Sequence, residues 1–388
     1  MPELNHNLSF AYDLVNRVVP WLNQHVQFGI SHKSNGDAAS FELYSKDGIV
    51  HINGSDKSAL GFGLNYYLKY FCHRSMSHTG SHLLPQWPIP MVEEPVRINT
   101  PFEYRYALNY CTFDYSMPFW SWAQWERELD WMALNGVNLM LLVTGTRAIW
   151  KKVLAKYHFT SKEIQEFLPG PVYNAWWLMG NLEGWGGMAT ECLIDQQVEL
   201  TRKILDRMDE LGITPIFHGY YGIVPRSMKK KFPNAPISVQ GYWNQVFERP
   251  DIVDCKSPLF KEIATAYYDT VKELYGDIQF FAGDPFHEGG NVEGLNIGEQ
   301  AAAIQQSMQK AFPESTWVLQ AWYNNPRADL LQGIPQKEKV LILDLFGEVT
   351  SEWKNREAFG NIPFIWCSIN NFGERPGIYG RLEKIAEG

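Results

Sequence analysis

The sequence predicts an α/β protein, a (β/α)8 barrel preceded by a small α/β domain. Seven strand-like segments run from Tyr104 to Phe372 and alternate with helix-like stretches, the order of a parallel sheet joined by crossover helices. Most of these segments are continuously apolar, which suits parallel strands buried on both faces. Several close on carboxylates or amides, the end at which such a barrel carries its chemistry. Gly388 falls before an eighth strand-like run, so the barrel is expected to lack its last strand within the 388 residues.

The elements follow in order. Leu14, Val18, Leu22 and Val26 recur at i, i+4 spacing, which predicts an amphipathic helix over Phe10 to Val26, kinked or divided at Pro20. FELYSKDGIVHING alternates around Asp47-Gly48 and predicts a hairpin; GFGLNYYLKYF then predicts a second helix. The proline-rich stretch from Leu83 to Pro101 resists both helix and central strand, and sets the expected boundary between a domain of residues 1–95 and a barrel of 96–388. YRYALNYC opens the barrel as a strand ending at Cys111. WAQWERELDWMALNG places Trp122, Trp125, Leu129 and Met132 on one helical face and stops at Asn135-Gly136. The later strands are VNLMLLVTG, ITPIFHGYY, IQFFAGDPFHE, TWVLQAW, KVLILDLFGE and PFIWCSINNFGE. A Rossmann sheet is the rival architecture, but no GxGxxG stands at a strand-to-helix turn.

Composition excludes several classes. With 34 Lys and Arg against 43 Asp and Glu the formal charge is -9, and Lys229, Lys230 and Lys231 form an isolated basic run, so nucleic acid is not an expected partner. The five cysteines are scattered without a CxxC pair, which points to free thiols. His73, His78 and His82 match no metal spacing, and no metal or organic cofactor is expected. The N-terminus shows no export signal and no apolar run of ~18 residues occurs, so no membrane partner is expected and localisation is left open.

The strand ends read Asn109 and Cys111, His218, Asp284 and Glu288, Gln320 and Trp322, Asp344 and Glu348, then Asn370, Asn371 and Glu374. That is an acidic, amide-lined mouth, with Trp176, Trp177, Trp185, Trp243 and Trp322 in the following loops as planes on which a sugar ring can stack. Paired carboxylates with tryptophans are the equipment of glycoside hydrolysis, where one carboxylic acid protonates the leaving oxygen and a carboxylate attacks or stabilises the anomeric carbon. Glu288 in GDPFHEGG is the leading acid: Gly283, Gly289 and Gly290 let backbone approach a ligand, and His287 or Asp284 can tune its proton affinity. Any one strand-end carboxylate is more often a cap or an ion-pair partner, and the concentration of them carries the argument.

The strings NYCTFDYSMPFWSWAQWERELDWMALNGVNL, FLPGPVYNAWWLMGNLEGWGG, GDPFHEGG, VLQAWYNNP, VLILDLFGE and PFIWCSINNFGERPGIYGRLE resemble, in this order, the α-N-acetylglucosaminidase family, glycoside hydrolase family 89. The resemblance implies a small N-terminal domain, a TIM-like (β/α)8 barrel and a helical C-terminal domain with no counterpart here. It implies a retaining exo-glycosidase that removes terminal α-linked N-acetylglucosamine from heparan-sulfate-like or mucin-like glycans, in relatives that are lysosomal, periplasmic or secreted. Carried over by residue, Glu288 matches the general acid/base, Asn109 and Cys111 line the terminal-sugar subsite, and Trp176, Trp243 and Trp322 form its walls. His287 stands where an Asn is common. The family's nucleophilic glutamate falls past the segment resembling the end of this chain, so residues 1–388 alone are expected to be inactive, with a catalytically incomplete sugar-binding barrel as the alternative. Asp284, His287, Glu348, Asn371 and Glu374 are expected to support the chemistry or the fold.

Overall fold

A computed structural model describes residues 8–33, 36–78, 80–369 and 381–388. The chain groups into two compact units: Met1–Ala107 with Trp120–Met140 and Lys203–Thr214, and Leu108–Phe119 with Leu141–Arg202 and Pro215–Gly388.

The first unit is built on a four-stranded sheet. Val26–Ile30 runs parallel to Ile49–Gly54, which pairs antiparallel with Ala39–Lys46, and this pairs antiparallel with Val96–Thr100. Asp47 and Gly48 both take positive φ, 52° and 77°, as the two-residue turn of a right-twisted hairpin requires. The first helix is Ser9–Val18, with a separate 3-10 turn at Pro20–Leu22; Pro20 has no N–H to continue the ladder, and Val26 lies in a strand rather than in the helix expected from its spacing. Residues 96–100, placed in the barrel by the proline boundary, form the fourth strand of this sheet.

Lys57–Tyr70 starts at Asp56, whose side chain accepts from Ala59 N. Gly61 lets this helix approach Trp122–Leu134 closely, since a Cβ there would lie 2.4 Å from the Ala133 carbonyl oxygen. Trp125, Leu129 and Met132 are buried as their spacing predicts. On the same helix, Asp130 receives two nitrogens of Arg17, which offsets the cost of its burial. His78 Nε2 lies 3.1 Å from Glu128.

A seven-stranded parallel sheet runs in chain order through Tyr106–Ala107, Leu139–Leu141, Thr214–His218, Phe280–Ala282, Thr316–Ala321, Val340–Asp344 and Phe364–Trp366. With helices such as Glu191–Leu211, Pro258–Tyr275 and Ile297–Ala311 between the strands, this is the succession of a (β/α)8 barrel. The central strands are buried along their length, the reason their sequences read as unbroken apolar runs. One expectation fails at the first strand. It ends at Ala107 rather than Cys111, because Asn109 caps a short helix, Tyr110–Tyr115, by accepting from Thr112 N.

Candidate active site

The loop after Phe280–Ala282 begins with an anchor. Asp284 is buried, and its Oδ1 accepts from Gln320 N at 2.7 Å and from Asn325 Nδ2 at 3.2 Å. Burial, only partly offset by those two donors, pushes its carboxyl up to about 7. The Asn325 amide also reaches the Gln320 carbonyl, and Trp322 and Asn325 exchange backbone hydrogen bonds, so one carboxyl fixes the turn that follows Thr316–Ala321.

Four residues on, Glu288 sits at φ 49°, a left-handed conformation that a non-glycine residue holds only where its surroundings impose it. The side chain stays 39% exposed. Its Oε2 accepts from Asn181 Nδ2 at 2.8 Å and Trp243 Nε1 at 3.0 Å, and its Oε1 accepts from Trp322 Nε1 at 3.1 Å. Arg249 donates to the Glu288 carbonyl and, at 3.3 Å, to that of Gly180. An accessible carboxylate held by three N–H donors is placed to give or take a proton at a substrate oxygen.

The structure thus brings Glu288 together with Trp243 and Trp322, and His287 beside them. Trp243 is half-buried, whereas Trp322 is buried, its ring meeting His287 edge-on at 5.1 Å. Trp176 lies on a short helix, Asn174–Leu178, half-buried and edge-on to Tyr115 at 5.4 Å. Asn109 is half-buried with its side-chain oxygen spent on the cap. Cys111 is half-buried on that capped helix, and burial, with the charges of Asp114 and Glu288, raises its thiol to about 12, so it is neutral and not a nucleophile.

Asp114 was not picked out from the sequence. Burial raises its carboxyl to about 7 against the Ala175 N–H and the Arg147 charge, which pull it down. Asn181 and Arg249 were also missed. The glycine-rich MGNLEGWGG marks a loop able to approach a ligand, but nothing local distinguishes Asn181, and Arg249 in FERPD carries no signal at all.

Other candidates stand apart. His218 is buried, its Nε2 3.0 Å from the Leu178 carbonyl, and desolvation lowers it to about 4, so it is a neutral core residue. Trp177 is fully buried against Trp150 and Phe167. Glu348 is buried with Oε1 accepting from Ile369 N at 3.0 Å; Asp344 is buried, receives Trp353 N, and is raised to about 6 by desolvation. Asn371 and Glu374 lie outside the described residues. Among the described residues no group of three His, Cys, Asp or Glu is arranged to hold a metal ion.

Comparison with known proteins fits this geometry. Residues 105–388 match the family model "Alpha-N-acetylglucosaminidase (NAGLU) tim-barrel domain", and residues 9–91 match the N-terminal domain of the same family. A human alpha-N-acetylglucosaminidase is 33% identical over 352 residues, 87% of this chain and 47% of that protein. A family 89 glycoside hydrolase from Clostridium perfringens, solved with its substrate GlcNAc-alpha-1,4-galactose, is 39% identical with a TM-score of 0.91, covering 95% of this chain and 42% of that one. The same enzyme solved with PUGNAc gives a TM-score of 0.89. The chain spans about half the length or less of these relatives. It belongs to the alpha-N-acetylglucosaminidase family, glycoside hydrolase family 89.

Proposed function

We propose that this chain carries the acid/base half of a retaining exo-α-N-acetylglucosaminidase, with Glu288 as the group that protonates the leaving oxygen and then deprotonates the attacking water. The observation that carries the reading is the carboxylate of Glu288, accessible at a strand end and held by Asn181, Trp243 and Trp322. Stereochemistry requires a second carboxylate. In an α-linked N-acetylglucosaminide the acetamido group lies on the leaving-group side and cannot attack from behind, so a protein carboxylate must do so, ~5 to 5.5 Å from the acid. Asp284, Asp344 and Glu348 are each nearly fully buried and cannot reach an anomeric carbon. The resemblance to the family, rather than these three carboxylates, is what places the attacking glutamate past residue 388 in this proposal. Terminal N-acetylglucosamine would stand against Trp243 and Trp322, with Asn109, Cys111 and Trp176 lining the same subsite; heparan-sulfate-like or mucin-like glycans are the substrate class.

The test uses an aryl α-N-acetylglucosaminide with residues 1–388 and with the longest natural chain that contains them. Turnover by the longer chain and binding without turnover by the shorter one support the reading. Equal turnover by both would place the nucleophile among the carboxylates already present.

A further inference from the structure

An acid/base group must be held in both protonation states, and the three N–H donors on Glu288 favour only its charged form. The group placed to favour the neutral form is the imidazole of His287. Its Nε2 meets the Met179 carbonyl, an acceptor only, so Nε2 carries the hydrogen and Nδ1 presents a bare lone pair. That Nδ1 is buried, has no hydrogen-bond partner among the described residues, and lies 3.9 Å from Glu288 Oε2 on a side chain 2% exposed. The ring cannot swing away: it is pinned by Met179 on one edge and packed against the Trp322 indole.

Resting on the reading of Glu288 as the acid/base, we propose that His287 is a positioning residue whose Nδ1 accepts a hydrogen bond from the protonated Glu288 carboxyl, storing the proton that the first step delivers. The carboxyl needs to close by about 1 Å to make that bond. When the glycosidic oxygen takes the proton, its bond to the anomeric carbon breaks as the attacking carboxylate of the proposed mechanism bonds to that carbon, and the Glu288 carboxylate left behind falls to Asn181, Trp243 and Trp322. In the second step water bonds to the anomeric carbon as the glycosyl–carboxylate bond breaks, Glu288 takes the water's proton, and the His287 contact forms again. His287 stays uncharged throughout. Desolvation, against the attraction of Glu288, lowers it to about 4, with Arg249 opposing its protonation further. Among the described residues, the Cys111 thiol, with Asp114 behind it, and the Arg249 guanidinium feel the charge of Glu288, and Asp284 lies further off, acting on the Tyr221 phenol beside Arg249. Cys111 is a neutral thiol and Arg249 only donates, while the Asp284 Oδ1 is taken by Gln320 and Asn325, so the group seen beside Glu288 with a free acceptor is His287.

The experiment follows the Glu288 carboxyl by 13C NMR in the longest natural chain labelled at glutamate Cδ, the signal being assigned by its loss in Glu288→Gln. His287→Phe, which fills the space but cannot accept, should move its midpoint down by about one pH unit. His287→Asn, whose amide oxygen falls near the Nδ1 position, should restore it to within a few tenths of a unit. The basic limb of kcat/KM for a poor-leaving-group glycoside should move with the NMR midpoint. An unchanged midpoint in His287→Phe overturns the proposal. A midpoint that moves without the basic limb leaves the contact standing and overturns instead the reading of Glu288 as the acid. Long-range 15N NMR of the unsubstituted protein decides the case without a variant: a protonated Nδ1, or an Nδ1 signal indifferent to the titration of Glu288, contradicts it.

Discussion

Two barrel strand ends carry the same frame, an aspartate followed four residues later by a glutamate, and use it in opposite ways. After Phe280–Ala282 the frame is Asp284 and Glu288; at the end of Val340–Asp344 it is Asp344 and Glu348. In the first, His287 occupies the position before the glutamate, Glu288 takes a positive φ, and its carboxylate emerges among three side-chain N–H groups. In the second that position is Gly347, where a Cβ would lie 2.3 Å from Trp366 Nε1. The indole fills the slot, and Glu348 stays buried on a backbone amide. Sequence spacing therefore puts a carboxylate after a strand, and the local backbone with its neighbours decides whether it faces solvent or the interior.

The comparison breaks first at turnover. In the longest natural chain that contains these residues, Glu288→Gln should lower hydrolysis of natural glycosides by ~10²- to 10⁴-fold, while Glu348→Gln should leave kcat within a few fold once folding is intact; steady-state kinetics with N-acetylglucosamine release decides it. Next comes the aromatic wall. Trp322→Ala, at a buried site, should lose ~3 to 5 kcal/mol of stability as well as sugar affinity, whereas Trp243→Ala should weaken N-acetylglucosamine binding with a much smaller change in urea midpoint. Glu348→Ala should cost ~1 to 3 kcal/mol, the penalty for leaving the Ile369 amide without its acceptor, measured by the same unfolding curves.

A further effect is in pH. Asp284 and Asp114 are raised to about 7 by burial, so each binds its proton more tightly folded than unfolded. Their contribution to stability is complete below about 4 and is lost as pH rises through about 7. Melting temperature should therefore decline from pH 5 to pH 8 by a few degrees, and Asp284→Asn should flatten part of that slope. A slope unchanged in Asp284→Asn would show that Asp284 is ionised in the folded protein.

Much of this was legible in the sequence where the cause is local. Asp47-Gly48 specifies its turn, Pro20 divides its helix, and the apolar runs mark buried parallel strands. Glu288 stood out because glycines flank it. What escaped depends on partners distant in the chain. Asn181 reaches Glu288 across 107 residues, and Arg249 reaches its carbonyl across 39. Cys111 was placed on a strand because the apolar run continues through it; the cap at Asn109 overrides that pattern with one side-chain hydrogen bond. Spacing alone gives the frame at Glu348 a supporting place, and the packing of Trp366 at Gly347 supplies the reason.

The most direct test of the contrast between the two frames is leaving-group dependence. In the longest natural chain that contains these residues, Glu288→Gln and Glu348→Gln are assayed in parallel, each on a GlcNAc-galactose disaccharide and on an aryl α-N-acetylglucosaminide whose leaving group needs no proton. The account predicts that Glu288→Gln loses turnover of the disaccharide by far more than the first step on the aryl substrate, while Glu348→Gln changes both equally and little. Equal losses on both substrates for Glu288→Gln, or a leaving-group-dependent loss for Glu348→Gln, would contradict it.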